Sequence, residues 1–403
     1  MNASSSRVQL RYIAEDTFGV TPNSGNCKEL RMTGESLNTD RAKEESKEMR
    51  ADRQVSGATT VDANASGSIN FHLSYVEYDA FLAAALQSSF TVFGTNGVSA
   101  TTTITFATGT LTASASTSGA SDWSTLKPGQ WFLVVAPSNA NNGKLLRVST
   151  SVAPTADVIT LDASTPATAA SNIANCKIAT SRLTNGVTQP SFSIEKEFSD
   201  ITQFMLFTGM TVNKVSLNFA AAALTDGSVE FMGKIGALAG STGLPGTPVA
   251  SKTYEIMNGV TGIGQLWEGT APVSGTFIKS MSMNIDNTLR GQKALANLGN
   301  IGIGVGDFKV SGSMEVYFSN GDMYDKFTGD TYTQIIVGSQ DLSRNGYVFT
   351  LPRVLLMGGN ITAGAKNQDV MATFEYMAFA DGANANTALR KTMFIDRVGV
   401  AVT

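Results

Sequence analysis

Side chains able to do chemistry are few and scattered. His72 is the sole histidine of the 403 residues, and Cys27 and Cys176 are the two cysteines. A structural zinc site needs four ligands and a catalytic one three, while a nucleophile needs a neighbouring base. One imidazole and two distant thiols supply neither, so no metal or cofactor is expected and both thiols read as free. Gly299, Gly302, Gly304 and Gly306 in GNIGIGVGDF superficially suggest a phosphate loop. The run lacks the G-x-G-x-x-G register ahead of a helix and the Lys-Ser/Thr pair of a P-loop, and reads as a hairpin tip. Carboxylates are numerous, yet no spacing singles out an acid/base couple. No catalytic residue emerges, and the chain reads as a non-enzyme.

One stretch concentrates charge. Glu35–Arg53 holds eleven charges in nineteen residues: Glu35, Asp40, Glu44, Glu45, Glu48 and Asp52 against Arg41, Lys43, Lys47, Arg50 and Arg53. In a helix it would set Lys43 against Lys47 and Glu44 against Glu48, like-charge pairs that destabilise. The alternation Glu48, Arg50, Asp52 suits an extended hairpin reaching away from the core. Isolated hairpins are marginal in water, so this one is expected to meet another subunit or line a channel, with a solvated loop as the alternative.

The elements that must position these residues repeat. In Ser66–Gln87, Ile69, Phe71 and Leu73 alternate with Asn70 and His72, a half-buried strand. Ser74 and Glu77 have capping-box spacing, and Tyr78, Phe81, Leu82, Ala85 and Leu86 form one helical face. Ser311–Phe327 repeats the Ser-Gly-Ser opening, the alternation, a cap at Ser319 and Asp322, and a Tyr-Asp-x-Phe element. Upstream, Asn38-Thr39-Asp40-Arg41 is matched by Asn287-Thr288-Leu289-Arg290, 28 and 24 residues before Ser-Gly-Ser. These landmarks indicate an internal duplication of one β-rich unit.

Charged residues are only 15% and the net charge is −4, a balance that argues for weakly charged packed β surfaces and against a nucleic-acid grip. From Thr91 to Gly186 the chain has no glutamate. Short strands there, separated by Lys-Pro-Gly and Asn-Asn-Gly turns, read as an inserted β domain on the outside of the scaffold, with Trp123, Trp131 and Phe132 as its core. The expected organisation is a first unit over 1–90 and 187–236, the insertion over 91–186, a connection over 237–275 and a second unit over 276–403. Residues 1–26 read as an arm, and Thr392–Thr403 as an edge strand that a neighbouring molecule can complete. The opening MNASSSRVQLRYIAED lacks an apolar leader core, and no window approaches eighteen apolar residues. Folding in a cytoplasm with no membrane span is expected.

The concatenation of SRVQLRYIAEDTFG, SLNTDRAKEESKEMRADRQ, SGSINFHLSYVEYDAFLAAAL, KPGQWFLV, IEKEFSDITQFMLFTGM and YVFTLPRV resembles the major tail (tail tube) proteins of long-tailed, non-contractile bacteriophages of siphovirus type. The resemblance implies a mainly β fold of two tandem β-sandwich or barrel units, each with a flanking helix, plus the small all-β insertion. It implies a virion subunit that polymerises into stacked rings, a hollow conduit for phage DNA, assembled in the host cytoplasm. Its partners would be further copies, tail terminator, tape measure and distal tail proteins. The doubled unit suggests a trimeric ring with pseudo-sixfold shape, with a hexamer as alternative. Glu44, Glu45, Glu48 and Asp52 are candidates for lumen or ring-junction carboxylates; salt-paired stacking with Arg50 and Arg53 is the other reading. A surface β-protein that binds glycans, with Trp123 and Trp131 as sugar platforms, is the competing function.

Overall fold

The computed structural model describes residues 2–114, 122–259, 263–268, 271–272 and 278–399. The end of the expected LTASAS strand (115–116), parts of the connection (260–262, 269–270, 273–275) and residues 400–403 of the C-terminal stretch lie outside them.

Alternating sequences become strands wherever one face finds cover. In chain order the framework is β1 (Val8–Glu15), β2 (Asn38–Glu45), β3 (Ala58–His72), α1 (Asp79–Ala85), β4 (Ser181–Thr184), β5 (Ser191–Phe198), β6 (Gln203–Ala220) and β7 (Asp226–Gly233). It continues with β8 (Ile278–Asp286), β9 (Lys309–Tyr317), α2 (Asp322–Thr328), β10 (Thr333–Gln340), β11 (Gly346–Thr362), β12 (Met371–Ala378) and β13 (Phe394–Val398). The fold is mainly β, as the sequence indicates.

The strand order repeats. β3 pairs antiparallel with β7, β7 with β6 and β6 with β5. β9 with β12, β12 with β11 and β11 with β10 follow the same pattern. The Ser-Gly-Ser motif has one physical role in both copies. The Ser68 N–H donates to Ser36 Oγ at 2.9 Å, and the Ser313 N–H to Ser282 Oγ at 3.0 Å. A Cβ on Gly67 would stand 2.4 Å from the Ser36 carbonyl oxygen, and one on Gly312 would stand 2.0 Å from that of Ser282. Only glycine allows that approach. The tetrapeptide match needs correction by three residues, because Asn38 faces Ser66 whereas Asn284, not Asn287, faces Ser311. Asn287 instead opens a turn into a short ribbon, Arg290–Gln292 against Gly302–Gly304.

α1 buries Phe81, Leu82, Ala84 and Ala85. Phe81 packs its ring against Tyr12, Phe192 and Phe231 at centroid distances of 4.8, 5.3 and 5.4 Å. Such burial, worth ~1.5–3 kcal/mol for a large side chain, holds a seven-residue helix that is too short to persist alone. The expected capping boxes do not form. α1 starts only at Asp79, and the Glu77 carboxylate accepts instead from the N–H groups of Arg31 (3.1 Å) and Lys252 (2.8 Å). α2 follows Gly321, likewise without a side-chain cap.

Between α1 and β4 lies a separate six-stranded sheet with its own core, which includes Trp123, Phe132 and Cys176. Trp131 departs from expectation and packs on Ile336 of β10 and Val348 of β11. An ion pair fastens the same junction. Arg182 on β4 donates to both oxygens of Asp396 on β13 (2.7 and 2.6 Å) and to the Pro128 and Gly129 carbonyls (3.1 and 2.8 Å). Asp396 also accepts the Trp131 N–H at 3.0 Å. β13 is therefore no edge strand: it lies between β4 and β11, with all of Phe394–Val398 buried. Neither is the N-terminal segment a free arm, since β1 pairs with β5 on one side and Lys28–Leu30 on the other.

Candidate assembly surface

β6 pairs with β8 across the two repeats. Eight strands thus run as one antiparallel sheet, ordered β2–β3–β7–β6–β8–β9–β12–β11. One face, with Ile69, Phe71, Val229, Leu217, Met283 and Phe374, is buried in the main core. Pairing places polar side chains in rows on the other. One row reads Asn70, Ser228, Ser216, Asn284, Ser311; another reads Ser68, Glu230, Lys214, Asp286, Lys309. Ser216 and Asn284 bond at 2.7 Å, and the register sets Lys214 between Glu230 and Asp286, so opposite charges alternate across the strands. His72 belongs to this face, with Nδ1 2.6 Å from Asp226. These rows escaped the sequence reading, although SGSINFH, VSLNF and SMSMNID all print the alternation.

Both margins of this sheet are open among the described residues. β2 has β3 on one side only, and β11 beyond Val354 has β12 on one side only. Met357 is 55% exposed along that second margin.

The β2–β3 ribbon outruns the sheet. β7 ends its pairing at Gly233 opposite Ala65, while β2 follows β3 to Ala58. At ~3.4 Å per residue, Asn64 to Ala58 carries the ribbon about 20 Å clear. The six charged candidates lie at its far end and all are exposed. Glu44 faces Thr59 and Glu45 faces Ala58. Glu48 accepts the Ser56 hydroxyl at 2.7 Å, and Arg50 donates twice to Asp52, at 3.0 and 2.7 Å. That pairing holds the Asp52 carboxyl below the usual carboxylate range. Arg53, at φ +60, donates its N–H to the Arg50 carbonyl at 3.2 Å. The structure thus joins Arg50 to Asp52, but Glu44, Glu45 and Arg53 form no ion pair among the described residues. Lys293 braces the ribbon base through Asp62 (2.6 Å), Asn64 (2.5 Å) and the Ala63 carbonyl (3.1 Å).

Among the described residues no three His, Cys, Asp or Glu side chains gather as metal ligands, and no helix is long and apolar enough to cross a membrane. A comparison with curated proteins gives no match. A family model described as phage tail tube protein matches residues 5–378. Both repeats, the ribbon and the two open margins fall within that match, and the chain belongs to the phage tail tube family, structural proteins of the virion.

Proposed function

We propose that three copies close into a ring of pseudo-sixfold shape and that rings stack into the tube of a siphovirus-type tail. The observation that carries this reading is the eight-strand sheet with one hydrophilic face and two open margins. An open ladder is an aggregation liability unless a neighbour completes it, and joining β2 of one copy to β11 of the next leaves no edge once the ring closes. Two repeats per chain favour three chains over the six of the alternative.

The polar rows then line the lumen. Ser, Asn and balanced charges suit a DNA passage, because a basic wall would bind phosphate through counterion release and slow transit. The ribbon, which projects beyond the sheet, is assigned to the ring-to-ring junction, with Glu44, Glu45, Glu48, Arg50, Asp52 and Arg53 as its contacts. The further partners in this reading are tail terminator, tape measure and distal tail proteins, and assembly takes place in the host cytoplasm. Glycan binding through tryptophan platforms loses its support, since Trp123 and Trp131 are 1% and 2% exposed.

Negative-stain electron microscopy of the purified chain tests the reading. Hollow tubes of uniform width are expected. Alanine at all six charged positions should abolish tubes while leaving circular dichroism unchanged. A monodisperse monomer from the unaltered chain would refute the proposal.

A further inference from the structure

We infer that residues 293–301, the loop of the short second ribbon, form an apolar half of the contact between successive rings and seat on the opposite rim of the next copy. This rests on the stacked-ring reading above. Leu295, Leu298 and Ile301 are 97, 44 and 50% exposed. Yet the loop is anchored: Lys293 holds the long ribbon, and Asn300 Nδ2 donates to the Gly233 carbonyl at 2.7 Å. Gly299, at φ +89, passes so close that a Cβ would stand 2.8 Å from the Lys234 carbonyl oxygen. Fixed backbone therefore presents apolar side chains to water beside the ribbon.

Topology gives this loop its meaning. Asn284 and Asn38 hold the same register against the two Ser-Gly-Ser motifs. The chain passes from β8 to β9 through the short ribbon, as it passes from β2 to β3 through the charged one. One repeat meets the junction with charge, the other with apolar surface.

A matching surface lies at the other end of the same strands. β9 begins opposite Asp286 and ends at Tyr317. There the Phe318 N–H donates to the Val370 carbonyl at 3.0 Å, Tyr317 faces Met371, and Ile361 faces Ala372. Tyr317, Phe318, Val370 and Ile361 are 39, 39, 37 and 36% exposed. By this register Phe318, Val370 and Ile361 share the face of Val316 and Ala372, while Tyr317 lies on the opposite one. Apolar side chains thus rim both faces at this end of three neighbouring strands and mark a contact surface. A contact between two different ends of one molecule is heterologous and runs on as an open filament, the geometry that stacking needs. The occupant is a second copy of this chain.

The test uses the full chain. Leu295→Asp with Leu298→Asp should leave circular dichroism intact and raise the concentration at which tubes form by ~10-fold or more, a factor equal to ~1.4 kcal/mol. Tubes at the unaltered concentration would overturn the inference while leaving stacking intact. Leu298→Cys combined with Phe318→Cys should yield disulfide-linked multimers when assembled tubes are mildly oxidised, and neither single variant should. Tubes without such multimers would also overturn it. If the unaltered chain forms no tubes, the stacked-ring reading itself falls, so the two failures are distinguishable.

Discussion

Gly312→Ala places a methyl 2.0 Å from the Ser282 carbonyl oxygen and 2.6 Å from the Tyr376 hydroxyl. That hydroxyl donates to the same carbonyl at 2.7 Å. Strand β8 must shift or the bond must break. Overpacking costs about 1–3 kcal/mol and the lost hydrogen bond about 1 kcal/mol, so the variant should be less stable by about 2–4 kcal/mol. Gly67→Ala meets the Ser36 oxygen at 2.4 Å and also forces an L-residue to φ +140, adding about 1–3 kcal/mol of backbone strain. Gly109 supplies the control: a Cβ there meets nothing within 4 Å, so Gly109→Ala should be neutral or slightly stabilising. Urea unfolding of unassembled chain reads the difference as a shift of midpoint at constant slope. If Gly312→Ala and Gly67→Ala unfold at the same midpoint as Gly109→Ala, the close approach does not explain the repeated motif.

Removing the Asp396 carboxylate leaves Arg182, 4% exposed, as a buried unpaired charge. Asp396→Ala should cost about 3–5 kcal/mol, with limited proteolysis cutting first near residues 128–131, where the inserted sheet loses its fastening. Cys27 and Cys176 are 2% and 0% exposed, and burial pushes both thiols up. A thiol reagent at neutral pH should therefore label neither in folded protein and both in denaturant.

What could be read from the sequence was whatever local alternation dictates. Ile69, Phe71 and Leu73 gave a strand, Phe81 and Leu82 a helical face, and Ser-Gly-Ser a true repeat. Misreadings arose where distant partners decide. Ser74 and Glu77 have the spacing of a cap, but the loops carrying Arg31 and Lys252 take the glutamate. FIDRV reads as an edge strand, yet both of its charges find partners inside the protein. Asp396 binds Arg182 and Arg397 binds Asp79, pairings that span most of the chain. Trp131 points away from its own sheet because β10 and β11 offer it apolar cover. At the candidate site, the charged ribbon was legible from the density and spacing of its charges. The polar rows were not recognised, because Ser and Asn acquire meaning only when β6 and β8 join two repeats into one face.

Cross-sections of assembled tubes at a resolution that separates strands bear most directly on the central proposition. Three chains per ring are predicted, each giving eight strands to a closed wall, with β2 of one chain hydrogen-bonded to residues 355–362 of β11 in its neighbour. Rings of six chains, or a wall in which either of those margins stays unpaired, would contradict it.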